Sequence, residues 1–321
     1  MLATRSSRLA ALAVVVASLA GCDSGSGNAD RVDASPSAAV QATPSGEPSA
    51  TPTGPPSGSP STTATASAAR MTVAVYYLVD TKRGIRLQRE FRQVRRSSTP
   101  VRSALDLMLR EAALDRDYRS LWPKTTQVRG ISRSGSTATV DLSKEALEGN
   151  AGSEATSRSV QQLVHTVTAA DTSIQAVRIL VAGREVSDLW GHESLAGRSI
   201  KREPHINVLA AVSIDAPSEG DEVGQTFTLS GTATVFEANV QWRVTRGCPA
   251  DVTCVGEKPV YRSGFVTASE GAPGRGTWSV RVTLPDEVFD TSGYVEITAF
   301  EESAEDGSEF NSDTKVVHAS R

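Results

Sequence analysis

Histidine and cysteine are scarce, with four histidines (His165, His192, His205, His318) and three cysteines in 321 residues. No two histidines stand at zincin spacing, which excludes that type of zinc site. The chain lacks a Gly-x-Ser-x-Gly elbow and a phosphate-cradling P-loop, so neither an α/β-hydrolase nor a P-loop nucleotide enzyme is encoded in a recognisable form. Gly271-Ala-Pro-Gly-Arg-Gly276 is glycine-rich but precedes a strand pattern, and reads as a loop. The acidic series Glu301, Glu302, Glu305, Asp306, Glu309 and Asp313 lacks the spacing of an EF-hand and reads as a solvated hairpin tip. Catalysis needs a nucleophile, a base and a stabiliser that converge, and no such set is legible. The expectation is a protein that is not an enzyme and has no cofactor or metal. Long apolar runs are missing too: Leu9 to Leu19, broken only by Ser18, is too short to span a bilayer.

What that run does fit is an export signal. Arg5 and Arg8 supply a positive start, and Leu19-Ala20-Gly21-Cys22 closes the run with small residues before a cysteine. This resembles bacterial lipoprotein precursors, and the resemblance implies cleavage before Cys22 and lipidation of its thiol. Two acyl chains, at about 0.8 kcal/mol per buried methylene, give durable anchoring. The expected location is the outer face of a cell membrane, and nucleic acid is not an expected partner. With Cys22 lipidated, Cys248 and Cys254 remain as a pair, separated by five residues. A disulfide there closes a small loop and contributes roughly 2 kcal/mol. Two thiols without a nearby histidine make a poor zinc set.

Residues 1–21 are thus read as signal peptide and 22–69 as a linker of Ser, Thr, Pro, Ala and Gly with no aromatic residue. Such a segment cannot bury enough apolar surface to offset its ordering entropy, and is predicted to be disordered. A flexible chain of its length reaches roughly 35–40 Å, and its seven prolines extend it further.

Two folded segments follow, and their charges oppose. Residues 70–202 carry 22 Lys/Arg against 14 Asp/Glu, whereas residues 205–321 carry 8 against 18. A net +8 and a net −10 on one chain attract each other or seek oppositely charged partners.

In the first segment, Met71 to Val79 reads as a strand. Thr99-Pro100 starts a helix carrying Val101, Leu105, Met108 and Leu109. A strand pair, 127–133 and 137–142, is followed by a second helix with Val160, Leu163, Val164 and Val167 after Ser153 or Thr156. Ile174 to Val181 is a buried-type strand. The order β-α-β-β-α-β predicts a two-layer α/β sandwich with both helices on one sheet. From about residue 205 the pattern changes to seven short strands, at 211–215, 226–230, 240–244, 260–262, 277–282, 294–300 and 314–317. Val240, Trp242 and Val244 alternate inward, as do Trp278, Val280 and Val282, and Asp306-Gly307 marks a hairpin. That spacing predicts an all-β immunoglobulin-like sandwich, so the fold class is α+β in two domains.

Val75-Tyr-Tyr77, Ala138-Thr-Val-Asp-Leu-Ser143, Gln162-Leu-Val-His-Thr-Val167 and Val177-Arg-Ile-Leu-Val-Ala-Gly183 resemble the GerMN domain, named for a sporulation and germination lipoprotein. Ser230-Gly-Thr-Ala-Thr-Val-Phe-Glu-Ala238, Gly276-Thr-Trp278 and Phe300-Glu-Glu-Ser-Ala-Glu-Asp-Gly307 resemble the immunoglobulin-like domain of bacterial spore germination proteins. The resemblance implies interaction domains rather than enzymes. It also sets limits, since one GerMN-like unit stands where the namesake has two in tandem.

The expected function is a lipid-anchored extracytoplasmic scaffold or accessory protein of an envelope, sporulation or germination assembly, with an envelope protein as partner. The alternative is a binding module for a cell-wall polysaccharide or small ligand. The basic series Arg83, Arg86, Arg89, Arg92, Arg95 and Arg96 is the expected interaction surface, facing anionic headgroups, wall polymers or an acidic partner. Trp190 reads either as a surface anchor or as a cover on the sheet end, and Trp122, Trp242 and Trp278 as core. His165 falls within the second helix, where a packing role or a capped surface position is expected rather than catalysis.

Overall fold

The computed structural model describes residues 69–321, apart from 97, 98, 250, 251, 253, 257 and 292. The signal peptide, Cys22 and the linker up to residue 68 lie outside the described residues.

The first domain opens with a long hairpin, β1 (Arg70–Thr81) antiparallel to β2 (Gly84–Arg95). Its tip is the two-residue Lys82-Arg83 turn, which Gly84 leaves at φ +92° and Thr81 Oγ1 closes by donating to the Gly84 carbonyl at 2.7 Å. Helix α1 (Pro100–Arg110) has proline in its first turn and buries Val101, Ala104, Leu105, Met108 and Leu109 at i, i+3, i+4 spacing. Strands β3 (Val128–Ser134) and β4 (Thr137–Leu142) form a hairpin. Helix α2 (Ser153–Ala170) then crosses to β5 (Ala176–Val181), which pairs parallel with β4. Two-residue strands β6 (Asp188–Leu189) and β7 (Glu193–Ser194) pair with each other, and β8 (Ile200–Lys201) adds to the far edge of β5.

Two corrections to the predicted layout follow. The order is β-β-α-β-β-α-β, because the basic stretch after residue 82 is a full strand. Alternation hid it: the positions that would show an apolar face hold Gln88 and Glu90, both buried, between arginines. Nor do the helices lie on one sheet, since β1–β2 is a separate two-stranded sheet beside the four-stranded β3-β4-β5-β8. Helix α1 packs on β1 and β3, and α2 on β1, β2 and β5, so each helix contacts both sheets. The shared core includes Tyr77, Leu105, Met108, Trp122, Leu142, Leu163, Val164 and Ile179.

A short helix, α3 (His205–Val208), leads into the second domain. There β9 (Val212–Ala216), β11 (Thr226–Ala233) and β14 (Gly276–Thr283) form one sheet, in the order β14-β11-β9. The facing sheet runs β10-β16-β15-β12-β13, built from β10 (Glu222–Val223), β12 (Asn239–Arg246), β13 (Val260–Thr267), β15 (Tyr294–Glu302) and β16 (Glu309–Ala319). All seven anticipated strands are present, and β10 adds a two-residue parallel pairing to β16. Val240, Val244, Trp278, Val282 and Ile297 fill the sandwich, and Trp242 is buried. Gly231 has no substitute here: a Cβ on it would land on the Ser213 carbonyl oxygen and the Trp278 ring.

Candidate functional site

The two domains are joined by a buried polar seam. Lys315, on β16, is 2% exposed and donates to Asp115 Oδ2 at 2.6 Å, to the Tyr118 hydroxyl at 2.7 Å and to Asp313 Oδ1 at 3.1 Å. Tyr118 in turn donates to Asp313 at 2.7 Å, and the Ile214 N–H donates to the other Asp313 oxygen at 2.6 Å. Burial alone would lower the Lys315 pKa, but Asp313 and Asp115 override it and hold the ammonium charged. The network runs on into the first domain, where Glu90 accepts from the Asp115 N–H at 2.9 Å and from Arg92 at 3.2 Å.

Beside it, Arg89 forms a two-pronged pair with Asp215 at 2.6 and 2.8 Å. Gln88 Nε2 donates to the Val212 carbonyl at 2.7 Å and its Oε1 accepts from the Ser213 hydroxyl. Arg275 reaches the Ala210 carbonyl at 2.8 Å and the Ser213 hydroxyl at 2.9 Å, and burial lowers its pKa to about 10. The connector is tied down as well, with the Ala210 N–H donating to the Leu87 carbonyl at 3.0 Å. Satisfied buried polar groups have one good geometry, so this seam sets the angle between the domains.

A cleft of about 650 Å³ lies between the two domains, with the connector residues Leu209, Ala210 and Ala211 in its lining. One wall is the β1–β2 tip, with Lys82, Arg83 and Arg86; the other carries Phe236, Glu301, Glu309 and Asn311, and Ile206 lies at the connector. Phe236 is 70% exposed and Ile206 52% exposed. Glu301 accepts from Asn311 at 2.7 Å and from the Phe236 N–H at 3.1 Å, while Glu309 pairs with Arg243 at 2.5 Å.

The residues singled out in the sequence are scattered by the structure. Arg89 and Arg92 do not belong to an external basic patch: Arg89 is spent on Asp215, and Arg92 on Glu90 and Glu111. Arg86 is half-buried against the Ile85 carbonyl and Glu154. Arg83 is exposed at the cleft and stacks over Phe310, 4.7 Å from the ring centroid. Arg95 and Arg96 are exposed at the other end of the hairpin. Strand alternation sends residues two apart to the same face and neighbours to opposite faces, so a basic run in sequence is not a basic surface in space.

Trp190 is a cover rather than an anchor. Its ring meets Trp122 edge-on at 5.6 Å, its Nε1 donates to the Ala146 carbonyl at 2.9 Å, and it lies where a Cβ on Gly149 would stand. Trp122, Trp242 and Trp278 are buried. Cys248 and Cys254 are joined by a disulfide, with Cα atoms 5.6 Å apart. Asp313 departs from the solvated hairpin expected of the acidic series, because it is the buried acceptor of the seam.

His165 is 2% exposed on α2, and both ring nitrogens lack a partner. Burial, with Arg202 and Arg275 nearby, pushes its pKa down to about 3, so the ring is neutral. Buried beneath the surface and bonded to no nucleophile, it is a packing residue. Among the described residues no group of three or more His, Cys, Asp or Glu is arranged to hold a metal ion, and no helix is long and apolar enough to cross a membrane.

The seam and the cleft were beyond the reach of periodicity. Residues 88–90, 115–118, 213–215 and 313–315 are far apart in sequence, and the one available signal was a set of polar residues inside strand patterns.

Residues 74–187 match the family model described as sporulation and spore germination, and residues 211–308 match the immunoglobulin-like domain of bacterial spore germination. No curated protein matches the chain. The solved first GerMN domain of the sporulation protein GerM from Bacillus subtilis is 20% identical, with 41% of this chain and 98% of that chain covered and a TM-score of 0.34. The tandem GerMN domains of the same protein are 20% identical, with 45% of this chain and 54% of that chain covered and a TM-score of 0.34. A putative lipoprotein from Clostridium perfringens is 17% identical, with 44% and 93% covered and a TM-score of 0.31. Two spore-germination family models therefore match this chain in tandem, one on each side of the 205–210 connector.

Proposed function

We propose that the chain is a lipid-anchored, extracytoplasmic scaffold or accessory protein of a sporulation or germination assembly, acting through protein–protein interaction and not through catalysis. The observation that carries this reading is the buried seam around Lys315, which joins two interaction-type domains into one body, with an open cleft between the β1–β2 tip and the second domain. A body held at a fixed angle presents a preformed surface, so a partner need not order it on binding. The matches to sporulation and germination domains support the pathway, and the Leu19-Ala-Gly-Cys22 motif supports the anchor.

Cross-linking of the native protein in living cells, followed by mass spectrometry, tests the reading. One reproducible protein partner, lost when residues 205–321 are deleted, is the expected result. Capture of wall material alone favours the polysaccharide-binding alternative and refutes the scaffold. The anchor has its own test: Cys22→Ala is expected to move the protein out of the detergent phase, and unchanged partitioning refutes lipidation.

A further inference from the structure

The cleft continues past Phe236 into a groove lined by Glu237, Glu302, Glu305 and Asp306, and both hollows share Phe236 and Glu301. Together they make one trough: Lys82, Arg83 and Arg86 line the first hollow beside Asp80 and Glu309, Glu302, Glu305 and Asp306 line the second, and Phe236 is common to both. Part of this charge is spent internally, since Glu309 pairs with Arg243, Arg86 with Glu154 and Asp80 with Arg119. Lys82 donates to the Glu309 backbone carbonyl at 3.2 Å and Arg83 stacks on Phe310, but neither meets a carboxylate among the described residues. In the second hollow Glu302 and Glu305 meet no cation among the described residues, and Glu302 directly faces Glu309 across the β15–β16 pair. Like charges in that register repel, and Arg243 offsets Glu309 but leaves Glu302 without a counter-ion among the described residues.

The apolar groups are also unspent, because Phe236 and Ile206 are exposed while the cores on either side are closed. The backbone that presents Phe236 is held in an unfavourable region. Glu237 and Ala238 have φ of +53° and +56°, and Asn311, on the same wall and bonded to Glu301 as the Phe236 N–H is, has φ of +50°. Two of the five described non-glycine residues with positive φ, Glu237 and Asn311, therefore line this one trough. Such strain concentrates where a structure presents a group to a ligand.

We propose that the trough docks an extended segment of the protein partner, carrying an apolar side chain with acidic residues on one side and basic residues on the other. The apolar side chain covers Phe236 and Ile206, the acidic residues meet Lys82 and Arg83, and the basic residues meet Glu302 and Glu305. Charge complementarity selects this occupant, since a segment of one sign leaves half of the trough unpaired. The assignment rests on the protein-binding reading above.

The test uses the detergent-solubilised full chain and three dye-labelled peptides read by fluorescence anisotropy: Glu-Glu-Gly-Phe-Gly-Lys-Lys, and versions with both flanks acidic or both basic. The mixed peptide is expected to bind at least about tenfold tighter than either single-sign peptide. Phe236→Ser is expected to weaken it about tenfold or more, and Lys82→Glu with Arg83→Glu to turn the preference toward the all-basic peptide. These positions are exposed, and an unchanged circular dichroism spectrum checks that each variant folds. Equal binding of the three peptides, no saturable binding, or indifference to the substitutions overturns the proposal. Binding that emerges only when residues 23–69 are removed also overturns it, because the chain's own segment is then the occupant. Partner capture in cells that survives Phe236→Ser leaves the scaffold reading intact and refutes the trough alone.

Discussion

Acidification should destabilise this protein through His165. Neutral in the fold with a pKa of about 3, the ring takes up its proton near 6.5 once unfolded. The unfolded chain therefore binds the extra proton between those values, so stability falls as pH drops below 6.5 and the loss is complete below 3. At pH 5 the gap to the unfolded value is about 1.5 units, worth about 2 kcal/mol at 1.36 kcal/mol per unit. For a body of this size that lowers Tm by roughly 4–8 °C.

Other groups titrate in the same range. Burial raises the Glu219 carboxyl to about 7, against the pull of the Val316 N–H, and this acts in the opposite direction: its stabilisation is present below 4.5 and is lost as pH rises through 7. The assay is accordingly a difference. Tm is followed by near-ultraviolet circular dichroism from pH 7.5 to 5 for the wild type and for His165→Leu, which keeps an apolar side chain of similar size. The wild type is expected to lose about 2 kcal/mol more than the variant, because every other titration is common to both. A direct readout needs no variant: the His165 imidazole resonance should stay at its neutral position down to pH 5. Parallel Tm curves, or a His165 resonance that titrates near 6.5, refute the reasoning.

Other perturbations have equally definite outcomes. Lys315→Met leaves Asp115 and Asp313 buried without a cation and should cost about 3–5 kcal/mol in a urea titration; a change below 1 kcal/mol would mean the seam is wetter than it stands. Gly231→Ala forces a methyl against the Ser213 carbonyl and the Trp278 ring, and should destabilise by about 1–3 kcal/mol on the same titration. Replacing Cys248 and Cys254 together by serine should cost at most about 2 kcal/mol, since the closed loop is short, and reduction of the wild type should give the same shift.

The parts of this fold that were legible in the sequence are those in which burial follows a single local period. Helix α1 shows its core as Val101, Leu105 and Met108, and β12 shows its inward face as Val240, Trp242 and Val244. Strand β2 was not legible, because Gln88 and Glu90 occupy buried positions that local periodicity assigns to solvent. They are buried because partners distant in sequence reach them: Val212 and Ser213 of the second domain for Gln88, and for Glu90 the Asp115 N–H, whose carboxylate meets Lys315 of the second domain. Asp313 was misread for the same reason. A polar residue with a distant partner has no local signature, and the candidate site is built from such residues. The cleft itself depends on which strand ends meet, and periodicity does not encode that.

The charge asymmetry of the chain shows how far net charge explains the docking. A domain of +8 against one of −10 predicts attraction, and Arg89 with Asp215 follows that polarity. The deepest contact reverses it, since Lys315 is one of the few cations of the acidic domain and Asp115 one of the fewer anions of the basic one. Long-range attraction brings surfaces together but falls off within a Debye length of about 8–10 Å and carries little geometric information. A desolvated ammonium with four oxygen partners is satisfied in one arrangement only, and separating its partners exposes buried charge at a cost of several kcal/mol. The net charges therefore favour encounter, and the minority charges set the angle. Reversing exposed residues such as Arg95 or Arg96 should leave that angle unchanged, whereas losing the Lys315 ammonium should release it; small-angle X-ray scattering of the two variants distinguishes the outcomes, and an angle that follows the net charge refutes the division.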